Sequence, residues 1–174
     1  MSRLATILTF TYVFLVTHVA FSAPLDVGAE VLYQRMVNNM NTSTGYFYSD
    51  LMKSSSNPLD YYFSVRKNNS DDAIEFITIC EEGYVTSVGI LGSKTSKTNW
   101  NVVCAMFERT LLCSGLNLDE LKYLLANSKC LYPNGCQVLS GSVWCSSLNQ
   151  TIIAHFITFE DGRVQCMIYY GDKH

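Results

Sequence analysis

His155 has the strongest claim of any residue in this chain to acid–base chemistry. Of the three histidines, His18 lies in an apolar N-terminal run and His174 is the last residue. A Ser/His or Cys/His hydrolase needs an imidazole base beside its nucleophile. His155 stands in an alternating run, with Ile153 and Ile157 on its own face and Ala154 and Phe156 on the other. No Gly-x-Ser-x-Gly elbow accompanies it, so a histidine packed in a sheet is the expectation, with a His155 hydrolase kept open as an alternative. Two carboxylate pairs, Glu81-Glu82 and Glu160-Asp161, suggest glycosidase chemistry. Each immediately precedes a glycine, Gly83 or Gly162, which is the pattern of a solvated hairpin tip. Catalytic residues are therefore expected to be absent.

No cofactor or metal is expected either. The chain has no Cys-x-x-Cys pair, no aspartate-rich calcium loop and no glycine-rich phosphate or dinucleotide loop. Its seven cysteines are Cys80, Cys104, Cys113, Cys130, Cys136, Cys145 and Cys166. In an exported chain these are disulfide candidates. Cys130 and Cys136 flank the turn Tyr132-Pro133-Asn134-Gly135, which predicts a local bridge. The odd count leaves one thiol over, inert or available for a disulfide-linked dimer.

Export is written at the N-terminus. Arg3 gives a positive start, Leu4 to Val19 is mostly apolar, and Ala20-Phe21-Ser22 has small residues where signal peptidase needs them. Cleavage after Ser22 removes residues 1–22 and leaves 23–174 as a single secreted domain, long enough for a sizeable core. No later stretch is apolar enough to span a bilayer. Net charge is −3, and one more negative without Arg3, which argues against nucleic acid or anionic membrane as partner. The expected partner is an extracellular protein or small ligand. Sequons at Asn41, Asn68 and Asn149 sit among polar, turn-forming residues, so a secreted, extracellular glycoprotein is expected.

One short motif points to inhibition. Gln137-Val138-Leu139-Ser140-Gly141 resembles the Gln-x-Val-x-Gly hairpin of cystatins, with Leu139 where that family has valine. The resemblance covers five residues and implies a hairpin tip that enters the cleft of papain-like proteases. No Pro-Trp hairpin follows downstream.

The elements that would carry these residues follow from hydrophobic period. Leu25 to Met40 reads as a helix capped by Asp26, with Ala29, Leu32, Tyr33, Met36 and Met40 at helical spacing. A short strand or plug is expected at Tyr46–Tyr48. Period-two strands follow at 61–65, 74–79 and 84–91. Residues 100–113 fit a helix by spacing, but β-branched and aromatic content favours a buried strand. Asn117 and Glu120 form a capping box before Leu118, Leu121, Leu124 and Leu125, with Leu116 stapling to Leu121. Strands at 137–145, 151–159 and 163–170 complete the chain, the last two joined at Asp161-Gly162.

Two segments match. Phe76-Ile77-Thr78 precedes an acidic pair, Gly83 and Val85, and Phe156-Ile157-Thr158 precedes an acidic pair, Gly162 and Val164. A sequon precedes each. The fold class expected is α+β: antiparallel sheet or sheets covered by two helices, disulfide-bonded, with half-repeats 25–92 and 116–171. Such a scaffold favours a binding or interaction module over an enzyme. An extracellular hydrolase using His155 and a cystatin-like inhibitor are the alternatives.

Overall fold

A computed structural model describes residues 25–39, 45–68, 73–93, 97–130 and 137–173. They form an α+β fold, an antiparallel sheet of nine strands with three helices among the described residues. In chain order the elements are α1 (Ala29–Asn39), β1 (Tyr46–Tyr48), β2 (Met52–Lys53), β3 (Tyr61–Lys67), β4 (Ile74–Glu81), β5 (Tyr84–Ser93), α2 (Lys97–Ser114), α3 (Leu118–Asn127), β6 (Lys129–Cys130), β7 (Gln137–Cys145), β8 (Gln150–Thr158) and β9 (Arg163–Lys173). The strand order is β1-β3-β4-β5-β9-β8-β7-β6, with β2 also pairing β3. Two meanders, β3–β4–β5 and β7–β8–β9, are thus joined through the β5–β9 ladder.

Alternation assigns the two faces. On β4, Ile74, Phe76, Thr78 and Cys80 are buried, while Glu75 and Glu81 are exposed. Register carries that face across the sheet: Phe63, Phe76, Ile90, Cys166, Phe156 and Leu139 stand in one row. The helices supply the other half of this core through Leu32, Met36, Val103, Met106, Leu111, Leu121 and Leu124. On the opposite face Leu91, Ile157 and Met167 form a second, smaller cluster with Ile77, Ile79, Val138, Phe159 and Tyr169.

The first helix begins later than its apolar spacing predicts. Leu25 N donates to the Val85 carbonyl at 2.6 Å, and Val85 N donates to the Val27 carbonyl at 3.1 Å. Residues 25–27 therefore lie as an extended strip along the start of β5, with Leu25 fully buried. Gly28 then turns the chain, its carbonyl accepting from Leu32 N at 3.1 Å. A Cβ at Gly28 would stand 3.0 Å from the Gly83 carbonyl oxygen, so a larger residue would need the β4–β5 turn to give way by a few tenths of an ångström. Met40, at the expected end of the helix, lies outside the described residues.

Residues 100–113 are helical, so the strand expectation is corrected. Val102, Val103, Met106, Phe107, Thr110 and Leu111 are all buried. Their spacing is that of one broad helical face, and an 18-residue element is too long for an ordinary strand. The second apolar side that suggested a strand contributes Trp100, Ala105 and Leu112, which pack partly buried against the same core.

The cap of α3 is as expected. Asn117 Oδ1 accepts from Asp119 N at 3.0 Å and Glu120 N at 2.9 Å, and Glu120 Oε2 accepts from Asn117 N at 2.9 Å. Its apolar stripe is narrower than expected: Leu121 and Leu124 are buried, but Leu118 and Leu125 are exposed. Among the described residues the sheet is covered by three helices rather than two.

The expected disulfide bonding is not supported among the described cysteines. Cys80, Cys104, Cys113, Cys145 and Cys166 are free thiols, no two at bridging distance. They come from four elements, Cys104 and Cys113 sharing α2, and all except half-buried Cys104 are packed in the core, where a thiol behaves as a small apolar group. Cys136 and the side chain of Cys130 lie outside the described residues. Among the described residues no helix is long and apolar enough to cross a membrane.

Candidate functional site

The sequence-derived candidates do not converge. His155 projects from β8 on the face away from the helices, opposite Ser140 of β7 and Met167 of β9. Its ring meets that of Tyr169 edge-on, with centroids 5.6 Å apart. Burial lowers its pKa, and Nδ1 is buried without a hydrogen-bond partner. A triad histidine is oriented through its second nitrogen by a carboxylate, and nothing performs that role at Nδ1. Ser140 is the nearest hydroxyl by register.

The carboxylate pairs occupy hairpin tips. Glu82 and Gly83 both have positive φ, 52° and 87°, as a tight two-residue turn requires. Asp161 accepts from Arg163 N at 3.1 Å and from Arg163 Nε at 2.6 Å, and these contacts hold its carboxyl below the usual range. Both tips are exposed. Gln137 to Gly141 lies within β7, paired residue by residue with Thr158 to Ala154. It is a strand interior, and the hairpin tip implied by the cystatin resemblance is not what this segment forms. Asn68 and Asn149 are exposed in the β3–β4 and β7–β8 connections, while Asn41 lies outside the described residues. Among the described residues no three His, Cys, Asp or Glu side chains gather as a metal site would.

What the fold does build is a groove between α2, α3 and the helix-facing side of β7 and β8. It encloses about 440 Å³. Trp100, Cys104, Phe107 and Glu108 line it from α2, and Leu124 and Leu125 from α3. Ala154, Phe156 and Thr158 form the floor, and Leu139 and Ser128 complete the lining. Trp100 and Phe107 both meet the Phe156 ring edge-on, at 5.2 and 5.9 Å between centroids. Gly141 fixes how closely α3 approaches the sheet. A Cβ there would collide with Ser128 Oγ and stand 3.0 Å from Leu124 Cδ1, so a larger residue would push the helix end off β7.

The volume and apolar lining suit a small-molecule site. Leu125 and Leu139 at its lip are each 47 % exposed. Burial and the Glu108 carboxylate raise the pKa of Cys104, so its thiol is protonated and weakly nucleophilic at neutral pH. Among the described residues that line the groove, the one thiol, Cys104, is therefore not an activated nucleophile. The sequence holds one signal for the groove: read as a helix, residues 97–114 put Trp100, Cys104, Phe107 and Glu108 at i, i+4, i+7 and i+8. No family model, curated protein or solved structure matches this chain.

Proposed function

We propose that this chain is a secreted glycoprotein that works as a binding module, with the α2–α3 groove as its site. The observation that carries the reading is the groove itself, a mostly apolar cavity whose leucine lips are left in contact with water. Apolar surface of this kind is stabilised by an occupant. The signal-like residues 1–22 and exposed Asn68 and Asn149 support export with glycans on two connections away from the groove floor.

The scaffold reading rests on an internal duplication. Phe76 and Phe156 are both on the middle strand of a meander and both face the helices. Asn68 and Asn149 both stand in the connection before that middle strand, and a helix precedes each meander. The halves differ at their second hairpin, a two-residue turn at Glu82-Gly83 against a longer loop from Phe159 to Arg163, and the one extra residue of the first copy goes with the register shift at Ile79/Cys80.

Titration of the secreted protein with Nile red, a neutral dye that brightens in apolar surroundings, tests the site. Saturable binding is expected, and Leu125→Asp with Leu139→Asp should abolish it. Both leucines are already half exposed, so the variant keeps its fold. Binding that survives both substitutions would refute the groove.

A further inference from the structure

Glu108 is the one charged side chain among the groove's lining residues. We infer that the groove selects a hydrophobic amine, a compact apolar or aromatic body carrying a single cationic head. This deepens the proposed function and rests on its choice of site.

The argument is charge complementarity on an apolar background. Glu108 stands one helical turn from Cys104, on the groove side of α2. It is exposed and no ion pair engages it among the described residues. The basic residues nearest in sequence are directed elsewhere. Arg109, the next residue, has its Nε buried and acts on Tyr48 and Cys113, on the far side of the helix. Lys129 follows Ser128 but registers with Ser140, which belongs to the opposite face of the sheet. Lys122 of α3 pairs with Asp119 at 3.5 Å. Among the described side chains, an anionic amphiphile such as a fatty acid would therefore find repulsion from Glu108 and no cation lining the groove to answer it. An ammonium head would find a carboxylate, while the alkyl or aryl body rests on Trp100, Phe107 and Phe156.

Displacement of Nile red by three isosteric ligands tests this: decylammonium, decanol and decanoate, each below its micelle concentration. Decylammonium should compete about fivefold better than decanol, the size of a partly exposed ion pair, and decanoate should compete less well than decanol. Glu108→Gln should bring amine and alcohol to the same affinity and leave decanol unchanged. Equal competition by amine and alcohol in the wild type overturns the inference while the groove stands. So does an amine preference that persists in Glu108→Gln. If Nile red itself fails to bind, the groove is not a site and the inference falls with it.

Discussion

Tyr170 and Ser114 form a buried polar pair whose proton order can be worked out and tested. Both side chains are fully buried. Ser114 Oγ lies 2.7 Å from the Thr110 carbonyl and 2.5 Å from Tyr170 Oη. A serine hydroxyl has one proton and a carbonyl only accepts, so that proton goes to Thr110 and Tyr170 must be the donor to Ser114. The two deletions are then unequal. Tyr170→Phe removes the donor but leaves Ser114 bonded to Thr110, so it should cost about 0.5–1.5 kcal/mol. Ser114→Ala leaves the phenol buried with no acceptor, at about 1–3 kcal/mol, offset by roughly 0.5 kcal/mol from alanine's better helix propensity. In the double variant the stranded phenol is gone, so its cost should be well below the sum of the two. Urea unfolding of the purified chain, followed by tryptophan fluorescence, measures all three. A Tyr170→Phe cost above that of Ser114→Ala, or additive costs, would refute the proton order.

Phe76→Ala should cost about 3–5 kcal/mol, since the ring is 1 % exposed and stacks on Phe63 at 4.4 Å, whereas Phe156→Ala should cost less because that ring borders the groove; urea midpoints compare them. At Glu120, burial pushes the carboxyl up, but hydrogen bonds from the Ser146 and Asn117 amides and the Ser146 hydroxyl outweigh it, so the folded pKa is depressed. Its contribution is thus full above the unfolded carboxylate pKa of about 4.3 and is lost as pH falls through the lower folded value; Glu120→Gln should flatten the acid limb of a stability–pH curve. Of the five described thiols, Cys104 should react first with an aromatic disulfide reagent. Cys80, pushed up to about 11 by burial, and Cys113, Cys145 and Cys166 should react only on unfolding, and a native protein whose thiol titre is zero would contradict the free-thiol state. N-terminal sequencing of secreted material should begin at Ala23, and Asn68→Gln and Asn149→Gln should each remove one glycan's mass; material that retains Met1 to Ser22 would contradict export.

What the sequence disclosed was local. The Asn117–Glu120 box closes within four residues, and β7 runs over Gln137–Cys145 as its alternation predicts. What it concealed depends on distant partners. Leu25 is drawn out of α1 by Val85, a residue of another element. Residues 100–113 are apolar on two sides because α2 touches the sheet beneath and its neighbouring helices beside it. Seven cysteines behind a signal-like N-terminus suggest bridges, yet four of the described thiols act as core side chains, a role their spacing could not reveal. The groove takes its walls from four elements, and only the α2 side leaves a periodic trace.

The seam between the meanders governs how the chain must assemble. Hairpins β4–β5 and β8–β9 close through short turns and can form early, but the seam pairs Ser93 with Arg163 and Ser87 with Tyr169 across a long loop. Loop closure of that span has to precede any return from its contacts, so this ladder is expected to zip last. Until then β5 and β9 present unpaired edges rich in Val, Ile, Leu and Tyr, open to pairing with another chain. Aggregation during refolding should therefore come from the strands that end up at the centre of the sheet, and its rate should rise with protein concentration while the outer strands are already in place.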